Sequence, residues 1–279
     1  VLFRVVLNKK TAKTVFENKD DRDYFIDQGW TRPENAVLIR GAGVDIDRFK
    51  PRADAQTPKT QNDHSENVRS VSARNQRNEI DSSLSSKTGI MPEPPIVMLL
   101  SRMLWDKGIG EFVEAARQLS RNHGEQTTRF VLVGDPDLDN RGAITKAQLQ
   151  TWQTEGVIEW WGFRPDVENV LSQATVSCLP SYREGLPKSL LESLAMGLPC
   201  VATDVPGCRE AVVDGVNGLL VPARDSVALA NAIDCLVNND VLRDRFGKAS
   251  RQMAVEQFSK AIVNEQTLAL YDQMSESND

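Results

Sequence analysis

From residue 96 onward, the chain alternates short apolar runs with segments of helical spacing, and this alternation constrains the fold more than any other feature. A strand that is apolar at every position is buried on both faces, as happens in a parallel sheet covered by helices on either side. The sequence therefore predicts an α/β fold, a Rossmann-like parallel sheet with helices on both faces. Predicted strands lie within residues 94–101, 130–134, 157–162, 175–180, 199–203 and 218–222, and predicted helices within 109–119, 145–155, 166–172, 187–195 and most of the remainder to about 274.

The first 50 residues carry a different pattern. From Thr11, polar and apolar positions alternate at helical spacing, which predicts a helix that Asp20 or Asp21 caps and Gly29 ends. Residues 36–39 predict a short strand, and a glycine-punctuated turn follows it. The chain opens without Met inside an amphipathic helical pattern, so we expect a fragment whose beginning is missing.

Residues 51–95 are rich in Ser, Asn, Gln, Arg and Asp and poor in large apolar residues. Such a stretch cannot bury enough apolar surface to offset the conformational entropy that is lost when it becomes ordered. We therefore expect a disordered insertion or linker here, between residues 1–50 and a domain at residues 96–274.

Composition narrows the functional classes. The formal net charge of −6 gives a nucleic-acid-binding role no electrostatic support. The two histidines of the sequence argue against a histidine-based metal site or a Ser-His-Asp triad. The four cysteines lack metal-ligand spacing and predict buried, reduced thiols in a cytoplasmic protein. No apolar run reaches the roughly 18 residues that cross a membrane, and no signal peptide is visible.

The segment SYREGLPKSLLESLAMGLP at residues 181–199 carries the strongest chemical signal. It places Glu184 in a loop and Glu192 on the following helix, with Pro187 in the first helical turn. A helix N-terminus presents unpaired N–H groups and the positive end of the helix dipole, which suits a phosphate. A carboxylate on each side of that phosphate can hold sugar hydroxyls, so the pattern indicates a nucleotide-sugar site. Alternatively, Glu192 forms only an i,i+4 pair with Lys188, and Glu184 is a solvated loop residue.

Two other loops follow predicted strands. Arg102 and Lys107 come after the first strand of the sheet, where both can converge on a diphosphate; alternatively, they are two solvated surface cations. In the loop after the third strand, backbone groups near Phe163 and Arg164 can take a nucleotide base. A turn that feeds a helix capped by Asp166 explains that loop at least as well.

Other glycine-containing segments carry less information. GIGEF and GAGVD lack the full Gly-x-Gly-x-x-Gly pattern between a strand and a helix, so NAD binding receives little support, and the sequence contains no Walker-type loop. The Pro-Gly pair within residues 205–210 predicts an ordinary turn.

Taken in order, these segments resemble the retaining glycosyltransferases of family 4, which have the GT-B fold. The resemblance runs through SRMLWDKGIGEFVEAA, FVLVGDPD, VIEWWGFRPDV, the long run from SCLPSYREGLPKSLLE to GVNGLLVP, and QFSKAIVNEQTLALY. VFENKDDRDYF and GAGVDIDRF resemble the end of such an enzyme's N-terminal domain. The resemblance implies that residues 96–274 form a nucleotide-sugar (donor) binding domain, the C-terminal half of a GT-B fold, and that residues 1–50 are a remnant of the N-terminal acceptor domain.

By this resemblance, Arg102 and Lys107 would hold the donor diphosphate, and Glu192 would bind the donor ribose. Glu184 would be the catalytic residue that contacts the transferred sugar, and Arg164 would complete the donor site near the base. The backbone of three residues would assist Glu184: Gly185, Leu186 and Pro187. Neither a metal nor a cofactor is expected, because the family manages without a divalent ion.

The runs EGLPKSLLE and DVPGCRE are most similar to family members that build capsular or lipid-linked cell-surface polysaccharides in bacteria. This implies a UDP-sugar donor, often an N-acetylated hexose, and a polyprenyl-diphosphate-linked sugar as acceptor. It also implies a cytoplasmic protein that associates peripherally with the inner membrane through the rest of the N-terminal domain. Two alternatives stay open: a UDP-sugar 2-epimerase on the same fold, and a non-catalytic fragment that binds a nucleotide sugar.

Overall fold

The computed structural model describes residues 2–9, 12–51, 93–123 and 128–276. The insertion predicted at residues 51–95 lies almost wholly outside these ranges. The described residues up to 51 and those from 95 onward belong to one compact unit.

Helices and strands alternate along most of the described chain. The helices are α1 (Leu2–Leu7), α2 (Lys19–Asp27), α3 (Ile109–His123), α4 (Lys146–Thr154), α5 (Val167–Leu171), α6 (Lys188–Ala195), α7 (Cys208–Ala211), α8 (Ser226–Val237), α9 (Asp240–Gln257) and α10 (Lys260–Glu276). The strands are β1 (Thr14–Phe16), β2 (Ala36–Leu38), β3 (Ile96–Leu100), β4 (Arg129–Val133), β5 (Glu159–Trp160), β6 (Val176–Leu179), β7 (Cys200–Thr203) and β8 (Gly218–Val221).

The main sheet of the described region has six strands in the order β5-β4-β3-β6-β7-β8, and each neighbouring pair is parallel. The predicted parallel sheet is therefore confirmed. The chain builds outward from β3 in one direction and from β6 in the other, so the strand order reverses between these two strands. In sheets of this kind, ligands bind at that reversal, beyond the carboxyl ends of the strands.

Alternate residues of β3 enter two different cores. Val97 and Leu99 pack in a buried cluster with residues of α3, α4 and α8, among them Phe112. Met98 packs in a second cluster with residues of α5, α6 and α9, among them Leu191. Because successive side chains of a strand point to opposite faces, these two clusters lie on the two faces of the sheet. Helices therefore cover both faces, as the continuous apolar runs predicted.

The N-terminal segment differs from its prediction. Thr14–Phe16 is a strand that pairs in parallel with β2, although the apolar spacing from Thr11 is helical. The helix predicted to run from Asp20 or Asp21 to Gln28 is α2. Asn18, and not Asp20 or Asp21, caps α2, and its side chain accepts a hydrogen bond from the Asp21 amide. Three residues of extended backbone precede this cap, so the apolar positions there follow strand rather than helix geometry. Gly29, in left-handed backbone at φ +63°, follows the helix end as predicted.

The N-terminal segment also contacts the end of the chain. The Val44 amide donates to the Phe258 carbonyl at 2.7 Å, and the Lys260 amide donates to the Val44 carbonyl at 3.0 Å. Ile39 is buried against Val263 of α10 in a small cluster of its own. These contacts hold the N-terminal segment against the start of α10 and the residues before it.

Three of the four cysteines follow the prediction of buried thiols, namely Cys178, Cys200 and Cys208, whereas Cys235 is exposed. Burial raises the pKa of Cys200 to about 12, which keeps that thiol protonated. In the part of the chain that the structure describes, no helix combines the length and the apolarity that a membrane span requires.

We expect Phe112→Ala to lower the free energy of unfolding by about 3–5 kcal/mol. Phe112 is fully buried and packs edge-to-face on Phe130, with ring centroids 5.4 Å apart, so truncation leaves a cavity in the core. Urea unfolding followed by circular dichroism measures the change. Phe163→Ala is the matched control, because that ring is 70% exposed, and we expect it to change stability by less than about 0.5 kcal/mol. Equal losses in the two variants would contradict this account of the core.

Candidate functional site

Two loops meet at the carboxyl edge of the sheet, one after β3 and one after β6. The Tyr182 amide and the Ser181 hydroxyl both donate to the Asp106 carbonyl, at 2.8 and 3.1 Å. Gly108 has φ +71°, and an added Cβ would lie 2.0 Å from the Pro180 carbonyl oxygen. The loops approach this closely because residue 108 has no side chain.

The contact between these loops brings two predicted site residues together. Lys107 Nζ lies 2.7 Å from Glu184 Oε1, and the two side chains are only 12% and 14% exposed. Removing two charges from water is costly, and mutual pairing offsets the cost for both. The result is a largely desolvated ion pair at the position where the strand order reverses.

Helix α6 begins beside this pair. Pro187 is its N-cap, in extended backbone, one position before the first helical turn in which it was predicted. Among the described residues, no side chain caps the helix at Pro187. The Leu190 and Leu191 amides both donate to the Pro187 carbonyl, at 3.0 and 3.2 Å. The amides of the first turn, ahead of Leu190, therefore carry the unpaired donor character of a helix N-terminus.

Glu192 lies one turn into α6 with its side chain 9% exposed, and its Oε1 is 3.6 Å from Lys188 Nζ. The i,i+4 pair considered from the sequence is thus present. Burial raises the pKa of the Glu192 carboxyl above its usual value, and the nearby ammonium of Lys188 opposes that rise. Pairing with Lys188 does not preclude a ligand role, because Lys188 is 75% exposed and can release the carboxylate at little cost.

The two remaining predicted cations have carboxylate partners of their own. Arg102 is mainly exposed and contacts Asp137 at 2.7 Å. Arg164 forms a two-pronged contact with Asp166, at 2.9 and 2.8 Å. Asp166 is the N-cap residue of α5, as the alternative interpretation of this loop had it, but its side chain makes no capping hydrogen bond to the described helix. The guanidinium of Arg164 takes the carboxylate oxygens that a cap would use.

Tyr182 lies two residues before Glu184, and its side chain contacts Glu111 and Arg224. Its hydroxyl donates to Glu111 Oε1 at 2.8 Å, and the Arg224 guanidinium lies 4.5 Å from the centre of its ring. Burial and the hydrogen bond to Glu111 raise the pKa of Tyr182 to about 12. The phenol therefore stays protonated and continues to donate, which fixes the loop that leads to Glu184.

The turn at residues 205–210, interpreted from sequence as an ordinary turn, supports the Glu184 loop directly. The Glu184 amide donates to the Pro206 carbonyl at 3.3 Å. An added Cβ on Gly207 would lie 2.4 Å from the Gly185 oxygen and 2.6 Å from the Glu184 oxygen. The Pro-Gly pair was the visible signal, but which backbone it packs against depends on the tertiary fold.

The family of the chain is established by comparison with known proteins. Residues 94–239, slightly more than half of the chain, match the family described as Glycosyl transferases group 1. The matched range contains the Lys107–Glu184 pair and all of α6. The chain therefore belongs to this family of glycosyltransferases.

Individual relatives and solved structures agree. The enzyme named N,N'-diacetylbacillosaminyl-diphospho-undecaprenol alpha-1,3-N-acetylgalactosaminyltransferase, from Campylobacter jejuni subsp. jejuni serotype O:2, is 33% identical over 180 residues, which are 64% of this chain and 45% of that protein. Sucrose-phosphate synthase from Thermosynechococcus elongatus superposes with a TM-score of 0.74 at 22% identity, covering 98% of this chain and 61% of that one. Anabaena Alr3699/HepE in complex with UDP-glucose superposes with a TM-score of 0.70 at 21% identity, covering 97% and 67%.

These likenesses confirm the predicted fold class, that of GT-B glycosyltransferases. The six-stranded sheet corresponds to one half of that fold, and β1 and β2 form a small second sheet. The chain spans about half the length of the curated relatives it matches.

We expect Gly207→Ala to destabilise the protein by at least about 2 kcal/mol more than Gly215→Ala. Both glycines have a positive φ, at +80° and +72°, so an alanine at either position carries a backbone penalty. At residue 207 the new methyl must also displace the Glu184–Gly185 backbone, whereas at residue 215 no atom of the described residues lies within 4 Å of the new methyl. Urea unfolding of the two variants measures the difference, and equal midpoints would show that the turn does not support the loop.

Proposed function

We propose that this protein is the donor-binding part of a retaining glycosyltransferase. It takes a hexosyl or N-acetylhexosaminyl group from an NDP-sugar, in our proposal UDP-linked, for transfer to a lipid-linked or saccharide acceptor in cell-surface polysaccharide biosynthesis. The observation that carries the proposal is the buried Lys107–Glu184 pair beside the open N-terminus of α6, at the reversal of strand order. That position is where sheets of this type bind nucleotides.

The leaving group determines what the cations do. When the bond from the sugar to UDP breaks, negative charge develops on the diphosphate. Lys107 and Arg102 can balance that charge, and the first amides of α6 add the positive end of the helix dipole. Once the donor is bound and these groups contact its diphosphate, they stabilise the charge that develops there without further rearrangement.

The resting ion pair supplies the catalytic carboxylate. A diphosphate that takes the Lys107 ammonium frees Glu184, whose oxygens then accept hydrogen bonds from hydroxyls of the transferred sugar. The backbone of Gly185, Leu186 and Pro187 lies between Glu184 and α6 and is proposed to hold the same sugar. In this proposal, Glu184 contacts the sugar of a UDP-sugar and makes no such contact with UDP alone.

The ribose and the base of the donor are proposed to contact residues beyond the donor diphosphate position. Glu192 is eight residues after Glu184 and is proposed to accept hydrogen bonds from the ribose hydroxyls. Arg164 and the backbone around it are proposed to lie near the base, at the end of β5. Arg48 supports that loop by donating to Glu168 of α5 at 2.7 Å.

The acceptor is proposed from chemistry outside this chain's described site. The name of the Campylobacter relative specifies an undecaprenol-linked diphosphate acceptor for that enzyme. We propose a polyprenyl-diphosphate-linked sugar here, with the protein at the cytoplasmic face of a membrane. We further propose that residues 1–50 belong to the acceptor domain, 51–95 to an insertion and 96–274 to the donor domain.

Titration calorimetry of the full chain with UDP and with UDP-sugars tests the proposal. We expect saturable binding of both, with one ligand per chain. A chain that binds neither is not a donor-binding protein. Release of a 2-epimer from a UDP-sugar without an acceptor would instead assign the chain to the epimerases.

We expect Lys107→Met to weaken UDP binding by about 10- to 100-fold, because a charge-assisted contact to the diphosphate is lost. Lys248→Met is the matched control: that lysine is 74% exposed, pairs within α9 with Asp244, and should leave the affinity unchanged. Thermal unfolding of the variant measures any loss of folding stability that is caused by leaving Glu184 unpaired. Unchanged UDP affinity in a folded Lys107→Met chain would remove Lys107 from the site.

We expect UDP-glucose affinity to fall as the pH is lowered from about 8 to about 5, and to lose most of this dependence in Glu192→Gln. The carboxylate is the better acceptor for ribose hydroxyls, and its raised pKa brings protonation closer to neutrality. UDP-glucose is the suitable probe because its diphosphate has no terminal phosphate that titrates in this range. Calorimetry across the pH series measures the effect.

The same shift predicts an opposite change in stability. The folded chain holds the Glu192 proton more tightly than the unfolded chain, so the ionised carboxylate costs stability above its folded pKa, and that cost disappears as the pH falls through it. Glu192→Gln should therefore be more stable than the parent at neutral pH while binding the donor less well. A variant that loses both stability and affinity would point to a structural role for Glu192.

A further inference from the structure

We propose that Asn18, outside the six-stranded sheet and its loops, is a positioning residue for the sugar-binding loop. We call residues 184–187 the donor loop. The inference rests on the proposed function, and it adds a residue of the N-terminal segment to the donor site. Asn18 is 1% exposed and lies between β1 and α2.

The side chain of Asn18 has two tasks. Its Oδ1 accepts from the Asp21 amide at 2.7 Å, which caps α2. Its Nδ2 donates to Asp21 Oδ2 at 2.8 Å and to the Gly185 carbonyl at 2.9 Å. A cap requires only the acceptor, which Ser and Asp supply as well as Asn. The amide donors are therefore available for a second purpose, and one of them is used on the donor loop.

Holding the Gly185 carbonyl fixes more than one atom. In a planar trans peptide the N–H points opposite to the C=O, so the direction of the Gly185 oxygen sets the direction of the Leu186 N–H. Gly207 crowds the same carbonyl from the other loop, and the Leu186 side chain lies against Gly41 of the N-terminal segment. The Gly185–Leu186 peptide, proposed to face the sugar, is thus oriented by contacts on separate segments.

Charged contacts keep Asn18 in register with the loop. Arg183, next to the donor loop, pairs with Asp21 of α2. The Lys19 amide donates at 2.8 Å to Glu210 Oε1, and Arg209 pairs with Asp20 at 3.2 Å. The start of α2 therefore contacts Arg183, which precedes the donor loop, and also the segment that follows Gly207. These contacts hold the start of α2 where the Asn18 side-chain amide can donate to the Gly185 carbonyl.

Asn18→Ser and Asn18→Asp test the inference in the full chain. Both variants keep a side-chain cap for α2, but the Ser hydroxyl is one bond shorter than the Asn amide and does not extend to the Gly185 carbonyl. The Asp carboxylate has no donor and presents an oxygen to that carbonyl. We expect UDP-glucose affinity to fall by about three- to tenfold in Asn18→Ser and further in Asn18→Asp, whereas UDP affinity changes less. Calorimetric titration with the two nucleotides measures the ratio.

Asn239→Ser is the matched control. Asn239 is also an Asn N-cap, its Oδ1 accepts from the Leu242 amide, and it caps α9. We expect both nucleotide affinities to stay at the parent values in this variant. Equal parent-like affinities in Asn18→Ser and Asn18→Asp would reduce Asn18 to a helix cap and overturn the inference.

Amide hydrogen exchange of the ligand-free chain distinguishes a positioning role from a general loss of stability. We expect the Glu184 amide, which donates to the Pro206 carbonyl at 3.3 Å, to exchange its hydrogen faster in Asn18→Ser, with little change at Leu191 inside α6. Uniformly faster exchange at both would indicate general destabilisation and would contradict a specific positioning role. A parent chain that binds neither UDP nor UDP-glucose would overturn the proposed function and this inference together, whereas parent-like binding in the Asn18 variants overturns the inference alone.

Discussion

The site depends on one desolvated ion pair, that of Lys107 and Glu184. These residues are far apart in sequence, and they meet because β3 and β6 are neighbours in the sheet although two strands separate them along the chain. Each comes from a loop at the carboxyl end of its strand. The reversal of strand order opens a crevice between them, and the absence of a side chain at Gly108 lets the two loops come into contact. Removing either charge would leave the other buried without a partner, so the pair is a structural requirement before any ligand binds.

The sequence predicted what depends on local patterns. Continuous apolar runs identify buried parallel strands because both faces of each strand are covered, and the helical spacing between them places helices on both faces. The topology that follows is enough to bring the loops of Lys107 and Glu184 to one edge of the sheet. The assignment of individual donor-binding roles remains a prediction, because those roles concern a ligand and not the chain's own packing.

Other features could not be predicted because they are decided between distant segments. Asp166 is a reasonable cap by position, but Arg164 two residues earlier competes for its oxygens, and the two-pronged contact wins. The bond from Asn18 to Gly185 joins residues 167 positions apart, and no local pattern indicates it. The helical spacing before Asn18 was misleading for a similar reason: pairing with β2 stabilises residues 14–16 as a strand, which a single segment cannot show.

The resting state of the site also bears on how sugar and diphosphate recognition are linked. Lys107 donates to Glu184, so in the proposed function a diphosphate that takes over the Lys107 ammonium competes with this carboxylate. With UDP alone, the released carboxylate has only water to replace the ammonium. With a UDP-sugar, hydroxyls of the sugar can replace it. In the proposed function, the complete donor would compensate for the separation of this pair more fully than the free nucleotide, and occupancy of the sugar position would be coupled to that of the diphosphate position. The same coupling would favour release of the nucleotide after the proposed transfer, because Lys107 and Glu184 could then pair again.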